Sequence, residues 1–219
     1  APPRFAWPLA RRAVRLATTL AGCRARVDGL EHLESARDRP TVLVSNHASY
    51  MDWLVLIDAL PIDFSFVAKA ELKDAPGIGG LLSRLDTYFV DRFDARQGVE
   101  DAARVGDAAK AGHTLLIFPE GTFRRAPGIA PYRLGAFQAA VQAKADVVPI
   151  ALAGTREMLP DQVWIPVPSP LAVTIASPLR PGGDDWSAAI ALRDESRRFA
   201  SEHSGEPLLN FAGGSFRDR

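Results

Sequence analysis

The chain has 219 residues, of which 47% are hydrophobic and 24% are charged, as is typical of one globular domain with a substantial core. Its 26 basic and 26 acidic residues give a formal net charge of zero, so no overall field favours nucleic acid as a partner. The single cysteine, Cys23, excludes an internal disulfide, and the four histidines have no zinc-binding spacing. We therefore expect no metal site.

Residues 1–28 predict a basic amphipathic helix, because the first 27 residues contain six arginines and no acidic residue. Its apolar face, at helical spacing, consists of Leu9, Ala13, Leu16 and Leu20. Arg11 and Arg15 fall on another face, as in helices that lie in the interface of a membrane with anionic lipids. The alternative is a helix packed on the domain with solvated arginines. Arginines interrupt the apolar stretches, so we expect neither a membrane-spanning helix nor a signal peptide.

Strand-like and helix-like segments alternate through residues 29–205, which we expect to form one domain. Apolar or β-branched runs predict strands at 41–44, 64–68, 87–90, 114–118, 147–152 and 172–176. Helical period and composition predict helices at 50–59, 95–111, 134–145 and 187–202. The alternation predicts an α/β fold, with a central, mostly parallel sheet flanked by helices. Residues 206–219 are expected to form a loosely held tail.

A histidine and an aspartate follow the strand predicted at 41–44, namely His47 and, five residues later, Asp52. In this arrangement the histidine can act as a general base, while the carboxylate orients it and stabilises its protonated form. Loops at the carboxyl ends of strands are also where α/β sheets place their sites. Ser49 and Asp52 equally satisfy the capping-box pattern at a helix start, and the sequence leaves both interpretations open.

A second polar segment, residues 118–122, follows the strand predicted at 114–118. Pro119 keeps the preceding residue extended and Gly121 allows a close turn, so Glu120 is presented at the end of a strand. Further cations lie at or just beyond strand ends, at Lys69, Arg92, Arg124 and Arg125. Such groups bind phosphate well, which favours a phosphorylated substrate. The alternatives are a salt bridge for Glu120 and a solvated surface for the arginines.

These residues resemble the glycerolipid acyltransferases typified by bacterial 1-acyl-glycerol-3-phosphate acyltransferase, over about residues 29–179. Four sequence blocks appear in the family's order: Asn46-His47-x4-Asp52, Phe89-Val90-Asp91-Arg92, Phe118-Pro119-Glu120-Gly121-Thr122 and Val148-Pro149-Ile150. Many members place an arginine directly after the threonine of the third block. This chain has Phe123 there, and Arg124 is the nearest replacement.

The resemblance implies transfer of a fatty acyl chain from acyl-CoA or acyl carrier protein to the sn-2 hydroxyl of lysophosphatidic acid, giving phosphatidic acid in phospholipid biosynthesis. It implies direct transfer without an acyl-enzyme or a cofactor, with His47 as the base and Asp52 as its orienting partner. The candidate substrate-binding residues are Asn46, Lys69, Arg92, Glu120, Gly121, Thr122, Arg124 and Pro149. Within this set, the resemblance implies that Pro149 shapes the pocket floor, and amides near Gly121 are candidate oxyanion donors.

The expected location is the cytoplasmic face of the inner membrane, as a peripheral or monotopic protein. Its expected partners are anionic lipids of the membrane surface, a lysophospholipid acceptor, and acyl-CoA or acyl carrier protein as co-substrate. One alternative is an acyltransferase of the same fold that acts on another lysolipid or on glycerol 3-phosphate. A second is a non-catalytic lipid-binding module in which the motif residues serve only as structure.

Overall fold

The computed structural model describes residues 6–76, 79–90, 95–122, 126–159 and 165–210. Its strands are β1 Ala25–Asp28, β2 Thr41–Ser45, β3 Ser65–Lys69, β4 Tyr88–Val90, β5 Leu115–Ile117, β6 Asp146–Ala153 and β7 Leu171–Ile175. Its α-helices are α1 Ala6–Leu20, α2 Asp52–Ala59, α3 Gly79–Arg84, α4 Ala95–Lys110, α5 Gly135–Ala143, α6 Thr155–Met158 and α7 Trp186–Ser204. Two 3₁₀ helices cover Leu30–Arg37 and Ala70–Asp74. None of the described helices is long and apolar enough to cross a membrane.

The strands form one seven-stranded sheet in the order β1-β7-β6-β2-β5-β3-β4. Every neighbouring pair is parallel except β6 and β7, which run antiparallel. The predicted α/β fold with a mostly parallel sheet is therefore confirmed. The sequence analysis did not predict β1, which lies inside the segment assigned to the amino-terminal helix. Because Ala25 pairs with Leu171 at the sheet edge, residues 25–28 are part of the sheet.

Helices cover both faces of the sheet, and successive residues of a central strand enter different cores. In β2, Val42 and Val44 pack under α4, α5 and α7, whereas Leu43 packs under α1 and α2. All three side chains are fully buried, and each contributes about 1.5–3 kcal/mol by leaving water. Burial on both faces explains why these strands are continuous apolar runs rather than alternating ones.

Helix α1 packs against α2 through its buried residues, Trp7, Ala10, Val14 and Thr18. Arg15 Nε lies 2.8 Å from Asp58 Oδ1, and Arg11 Nη2 lies 2.8 Å from Asp63 Oδ1. The two arginines therefore attach α1 to the domain, although 57% of the Arg15 side chain stays exposed. The opposite face of α1 stays in water, since Leu9, Leu16 and Leu20 are 68%, 61% and 80% exposed.

Helix α7 begins and ends at residues suited to those positions. The Asp185 carboxylate accepts a hydrogen bond from Ala188 N–H at 3.0 Å, and Gly205 ends the helix in the left-handed conformation at φ 76°. The chain beyond it is held, because Leu209 N–H donates to the Ile129 carbonyl at 3.0 Å. Within the expected tail, residues 206–209 thus bond to the domain, and residues 211–219 lie outside the described residues.

Candidate functional site

Three adjacent parallel strands, β2, β5 and β3, end at the same edge of the sheet. The loop after β2 carries His47, the turn after β5 carries residues 118–122, and β3 ends at Lys69. The fold therefore brings segments that are far apart in sequence to one place, as expected for the carboxyl edge of a parallel sheet.

One carboxylate oxygen of Asp52 organises the loop after β2. Asp52 Oδ2 lies 2.7 Å from His47 Nδ1 and accepts hydrogen bonds from the backbone N–H groups of Ala48 at 2.7 Å and Ser49 at 2.9 Å. Asp52 is fully buried. A carboxylate facing Nδ1 keeps the proton of the neutral imidazole on that nitrogen and leaves the lone pair on Nε2. This tautomer, with the lone pair on Nε2, is the one that a general base requires.

Asp52 Oδ2 contacts both His47 and the amides before α2, but the full capping box predicted with Ser49 as N-cap is not formed. Helix α2 begins at Asp52, two residues later than predicted, and its N-cap residue, Met51, makes no side-chain capping bond. The bonds from Asp52 Oδ2 to the two preceding amides close the helix start, and Ser49 Oγ accepts from Met51 N–H at 3.2 Å. The carboxylate that orients His47 therefore also starts α2.

Asn46 anchors the same loop to β6. Its Nδ2 donates to the Leu152 carbonyl at 3.0 Å, and its Oδ1 accepts from Leu152 N–H at 2.7 Å. The side chain is buried and does not line the cavity beside His47. These contacts are those of a structural anchor, whereas the sequence analysis predicts that Asn46 binds substrate.

Both carboxylate oxygens of Glu120 accept hydrogen bonds from backbone amides. Oε1 accepts from His47 N–H and Oε2 accepts from Ala130 N–H, each at 2.8 Å. Burial raises the pKa of Glu120, and the two amide donors oppose that shift. Tyr132 lies nearby, and burial, followed by the Glu120 charge, raises the pKa of its phenol well above the usual range. Glu120 thus connects the His47 loop to the segment around Ala130.

A cavity of about 240 Å³ opens beside the histidine. The side chains and backbone that line it are mostly apolar: His47, Tyr50, Trp53, Phe66, Val67, Ala68, Lys69, Leu72, Leu82, Phe118, Gly121 and Thr122. The His47 ring stacks on Phe118, with 4.3 Å between ring centroids and 21° between planes. Lys69 is the cation among the described residues of this lining. The cavity can therefore hold an apolar chain with one end at the imidazole.

Gly121 turns the chain at the cavity wall with φ 83°, a conformation that other residues rarely adopt. Its N–H donates to the Phe118 carbonyl at 3.0 Å within that turn. The Gly121 amide is therefore already engaged in the turn, which weakens the expectation that it donates to an oxyanion.

Pro149 does not line this cavity. It lies inside β6, buried and paired in register with Val44, so the cavity lining does not support the role expected for it in the pocket floor. Arg92, Arg124 and Arg125 lie outside the described residues.

Sequence reasoning did not identify the apolar walls of the cavity. Trp53, which directly follows Asp52 in α2, lines the same cavity as His47, and its position next to the motif was a usable signal. Leu82 comes from α3, a helix of six residues that is too short to show a periodic pattern.

Comparison with known proteins identifies one family. The family model described as Acyltransferase matches residues 24–153. The solved structure of the 1-acyl-sn-glycerophosphate acyltransferase PlsC from Thermotoga maritima superposes with a TM-score of 0.75 at 23% identity, covering 90% of this chain and 78% of that one. This likeness is one of fold.

Two relatives illustrate the similarity in sequence. A chloroplastic 1-acyl-sn-glycerol-3-phosphate acyltransferase from Brassica napus is 35% identical over 134 residues, which cover 61% of this chain and 38% of that protein. A 1-acyl-sn-glycerol-3-phosphate acyltransferase from Pseudomonas aeruginosa is 29% identical over 197 residues, which cover 90% of this chain and 75% of that protein. The chain thus spans well under half the length of its plant relatives.

Proposed function

Because the chain belongs to the Acyltransferase family, we propose that it moves a fatty acyl chain from an acyl thioester to the sn-2 hydroxyl of lysophosphatidic acid. The product is phosphatidic acid, and the donor is acyl-CoA or acyl carrier protein. The observation that carries the proposal is the 2.7 Å contact between His47 Nδ1 and Asp52 Oδ2 beside an apolar cavity. The acceptor is taken from the names of the relatives, which are 1-acyl-sn-glycerol-3-phosphate acyltransferases.

In the proposed reaction His47 Nε2 removes the proton of the acceptor hydroxyl as its oxygen attacks the thioester carbonyl. The tetrahedral intermediate then breaks its carbon–sulfur bond, and the imidazolium returns the proton to the departing thiolate. An ester and a free thiol result, and the protein is never acylated. General-base assistance of this kind contributes about 10²–10⁴-fold.

Asp52 stabilises the imidazolium formed during this step. Its carboxylate is buried, already aligned with Nδ1 and held by two backbone amides, so it needs no reorganisation when the positive charge appears. Stacking of the ring on Phe118 further restricts its rotation. The base is thus pre-positioned before either substrate binds.

The cavity suits the two chemical parts of the substrates. Its apolar lining is proposed to hold the acyl chain, and Lys69 is proposed to attract the acceptor phosphate. Arg92 and Arg124 keep the phosphate-binding role expected from the sequence. Gly121 and Thr122, which line the cavity, keep the substrate-binding role expected of them.

We also propose that α1 rests on the cytoplasmic face of the inner membrane, with anionic lipids beneath it. The exposed face containing Leu9, Leu16 and Leu20 supports this, because leucines on one side of a surface helix insert among acyl chains. Arg12 lies on this exposed side of the helix, whereas Arg11 and Arg15 are paired with carboxylates of the domain. The membrane contact is thus attributed mainly to the leucines.

Release of free thiol from a long-chain acyl-CoA, measured with and without lysophosphatidic acid, tests the proposed reaction. We expect acceptor-dependent release that falls at least 100-fold in His47→Ala, given the size of general-base effects. His113→Ala is the matched control, since that histidine lies before β5 at the other end of the strand. Release without acceptor indicates a thioesterase. The same assay is repeated with acyl carrier protein as the donor carrier and with other lysolipids or glycerol 3-phosphate as acceptors. If no thiol is released with any of these pairs, the result favours the lipid-binding module.

A further inference from the structure

A partly buried arginine of α7 holds the segment that contacts Glu120. Arg197 Nε donates to the Ala130 carbonyl at 3.0 Å, and its Nη2 donates to the carbonyls of Ile129 at 2.8 Å and Leu209 at 2.7 Å. Each bond is charge-assisted, and the planar guanidinium fixes the three carbonyls relative to one another. Arg197 contacts neither the cavity nor His47 directly.

The chain after α7 completes this attachment. Ile129 N–H donates to the Pro207 carbonyl at 2.8 Å, and Leu209 N–H returns to the Ile129 carbonyl at 3.0 Å. Glu206 accepts from Gly128 N–H and lies 2.7 Å from Arg156. Residues 206–209, here called the strap, thus run beside residues 128–130 and are fastened to them at several points.

The peptide units at Ile129 and Ala130 have two sets of partners. Their carbonyls bind Arg197, while the Ala130 N–H binds Glu120 Oε2 at 2.8 Å. The other oxygen of the same carboxylate binds His47 N–H at 2.8 Å. A continuous series of hydrogen bonds therefore runs from α7 to the backbone of the proposed base.

We infer that Arg197 is a positioning residue, which fixes Glu120, and through it the His47 loop, by holding the carbonyls of residues 129 and 130. The inference rests on the proposed function only for its effect on turnover. In structural terms, Glu120 is a brace: its carboxylate links residues 129 and 130 to the His47 loop and is held in place from α7. This role is additional to any contact that Glu120 makes with substrate. Displacement of a catalytic group by about 1 Å lowers rates by about 100-fold, so an indirect contact of this kind has a measurable effect.

Arg197→Met tests the inference, because it removes the donors and keeps the apolar stem. We expect amide hydrogen exchange, followed by NMR, to accelerate at least tenfold at His47 and Ala130. Arg198→Met is the matched control, since Arg198 lies next along α7 and pairs only with exposed carboxylates among its described contacts. Unchanged exchange in folded Arg197→Met overturns the inference.

Turnover supplies the second readout. In Arg197→Met, kcat for acyl transfer should fall about 10- to 100-fold with KM for acyl-CoA changed less than twofold, and Arg197→Lys should recover part of the loss. A normal kcat alongside accelerated exchange overturns the positioning role. If the wild type itself transfers no acyl chain, the proposed function fails, while the exchange measurement still decides whether the brace exists.

A second variant covers the case in which Arg197→Met does not fold. Gly128 has φ 120°, and a Cβ there would lie 2.5 Å from Leu209 Cγ, so Gly128→Ala pushes against Leu209 of the strap. It should accelerate exchange at the same two amides. Gly182→Ala is the control, because a Cβ at that position meets nothing within 4 Å. Equal exchange in the two alanine variants contradicts the inference.

Discussion

Asp52→Asn separates the chemical role of the carboxylate from its role in starting α2. An amide oxygen at the position of Oδ2 can still accept from Nδ1 and from the two preceding amides, but it carries no negative charge. Bonds to charged groups contribute about 1.5–3 kcal/mol and neutral ones about 0.5–1.5 kcal/mol, so three weakened bonds cost about 3 kcal/mol. Relief of the buried charge offsets part of this loss. We therefore expect the unfolding free energy to fall by about 1–3 kcal/mol, which leaves a folded protein.

The effect on turnover should be larger than the effect on folding. Without the carboxylate charge the imidazolium is not stabilised, and kcat should fall about 10²–10⁴-fold, equivalent to about 3–5 kcal/mol in the barrier. KM for acyl-CoA should change little, because Asp52 does not line the cavity. The assay is thiol release together with urea denaturation, and Asp107→Asn is the control, since that side chain is 74% exposed on α4. A folded Asp52→Asn variant with kcat within threefold of wild type refutes the dyad.

Three further results are expected. Burial raises the pKa of Glu120 above its usual 4.5, so the contribution of Glu120 to stability is greatest below pH 4.5 and is lost as pH rises through the raised pKa. In urea denaturation at a series of pH values, the unfolding free energy of wild type minus that of Glu120→Gln should therefore fall as pH rises. A difference that rises with pH contradicts this. Asn46→Ala leaves the buried amide and carbonyl of Leu152 without their partner, which should cost about 2–6 kcal/mol by urea denaturation; a loss below about 1 kcal/mol, the size of one ordinary hydrogen bond, argues against the anchor. Leu16→Glu should weaken flotation with anionic vesicles at least fivefold, whereas Leu30→Glu should not, and equal flotation of the two variants counts against membrane contact through α1.

The sheet was predictable because its central strands are buried on both faces. Short apolar runs flanked by turn residues, such as that of β2, are typical of strands in the middle of a covered sheet. The edge strand β1 was missed, since none of its residues is fully buried and its sequence alternates alanine, valine and charged residues. The packing of α1 was left open for a similar reason. Both of its faces carry apolar residues, and only the fold decides that Trp7 and Val14 are buried while the leucines are exposed.

The candidate site was predictable where its residues are close in sequence. His47 lies in the loop after β2 and Asp52 is the first residue of α2, so their close spacing in sequence brings them within reach of each other. The contact between Glu120 and the His47 amide joins residues 73 positions apart, and no local pattern indicates that the carboxylate faces backbone amides. Arg197 was unpredictable for the same reason, because the two carbonyls that link it to the Glu120 segment, those of Ala130 and Ile129, are 67 and 68 positions away in the chain.

The shared use of Asp52 Oδ2 has a consequence for how such chains change over evolutionary time. In a duplicated copy released from selection for turnover, loss of His47 removes one of the three bonds to Asp52 Oδ2, whereas loss of Asp52 also leaves the amides of Ala48 and Ser49 without their acceptor. The aspartate should therefore persist longer than the histidine in copies that have become inactive. When sequences are compared, the presence of the aspartate then indicates an intact loop, and the presence of the histidine indicates that the proposed proton transfer is possible.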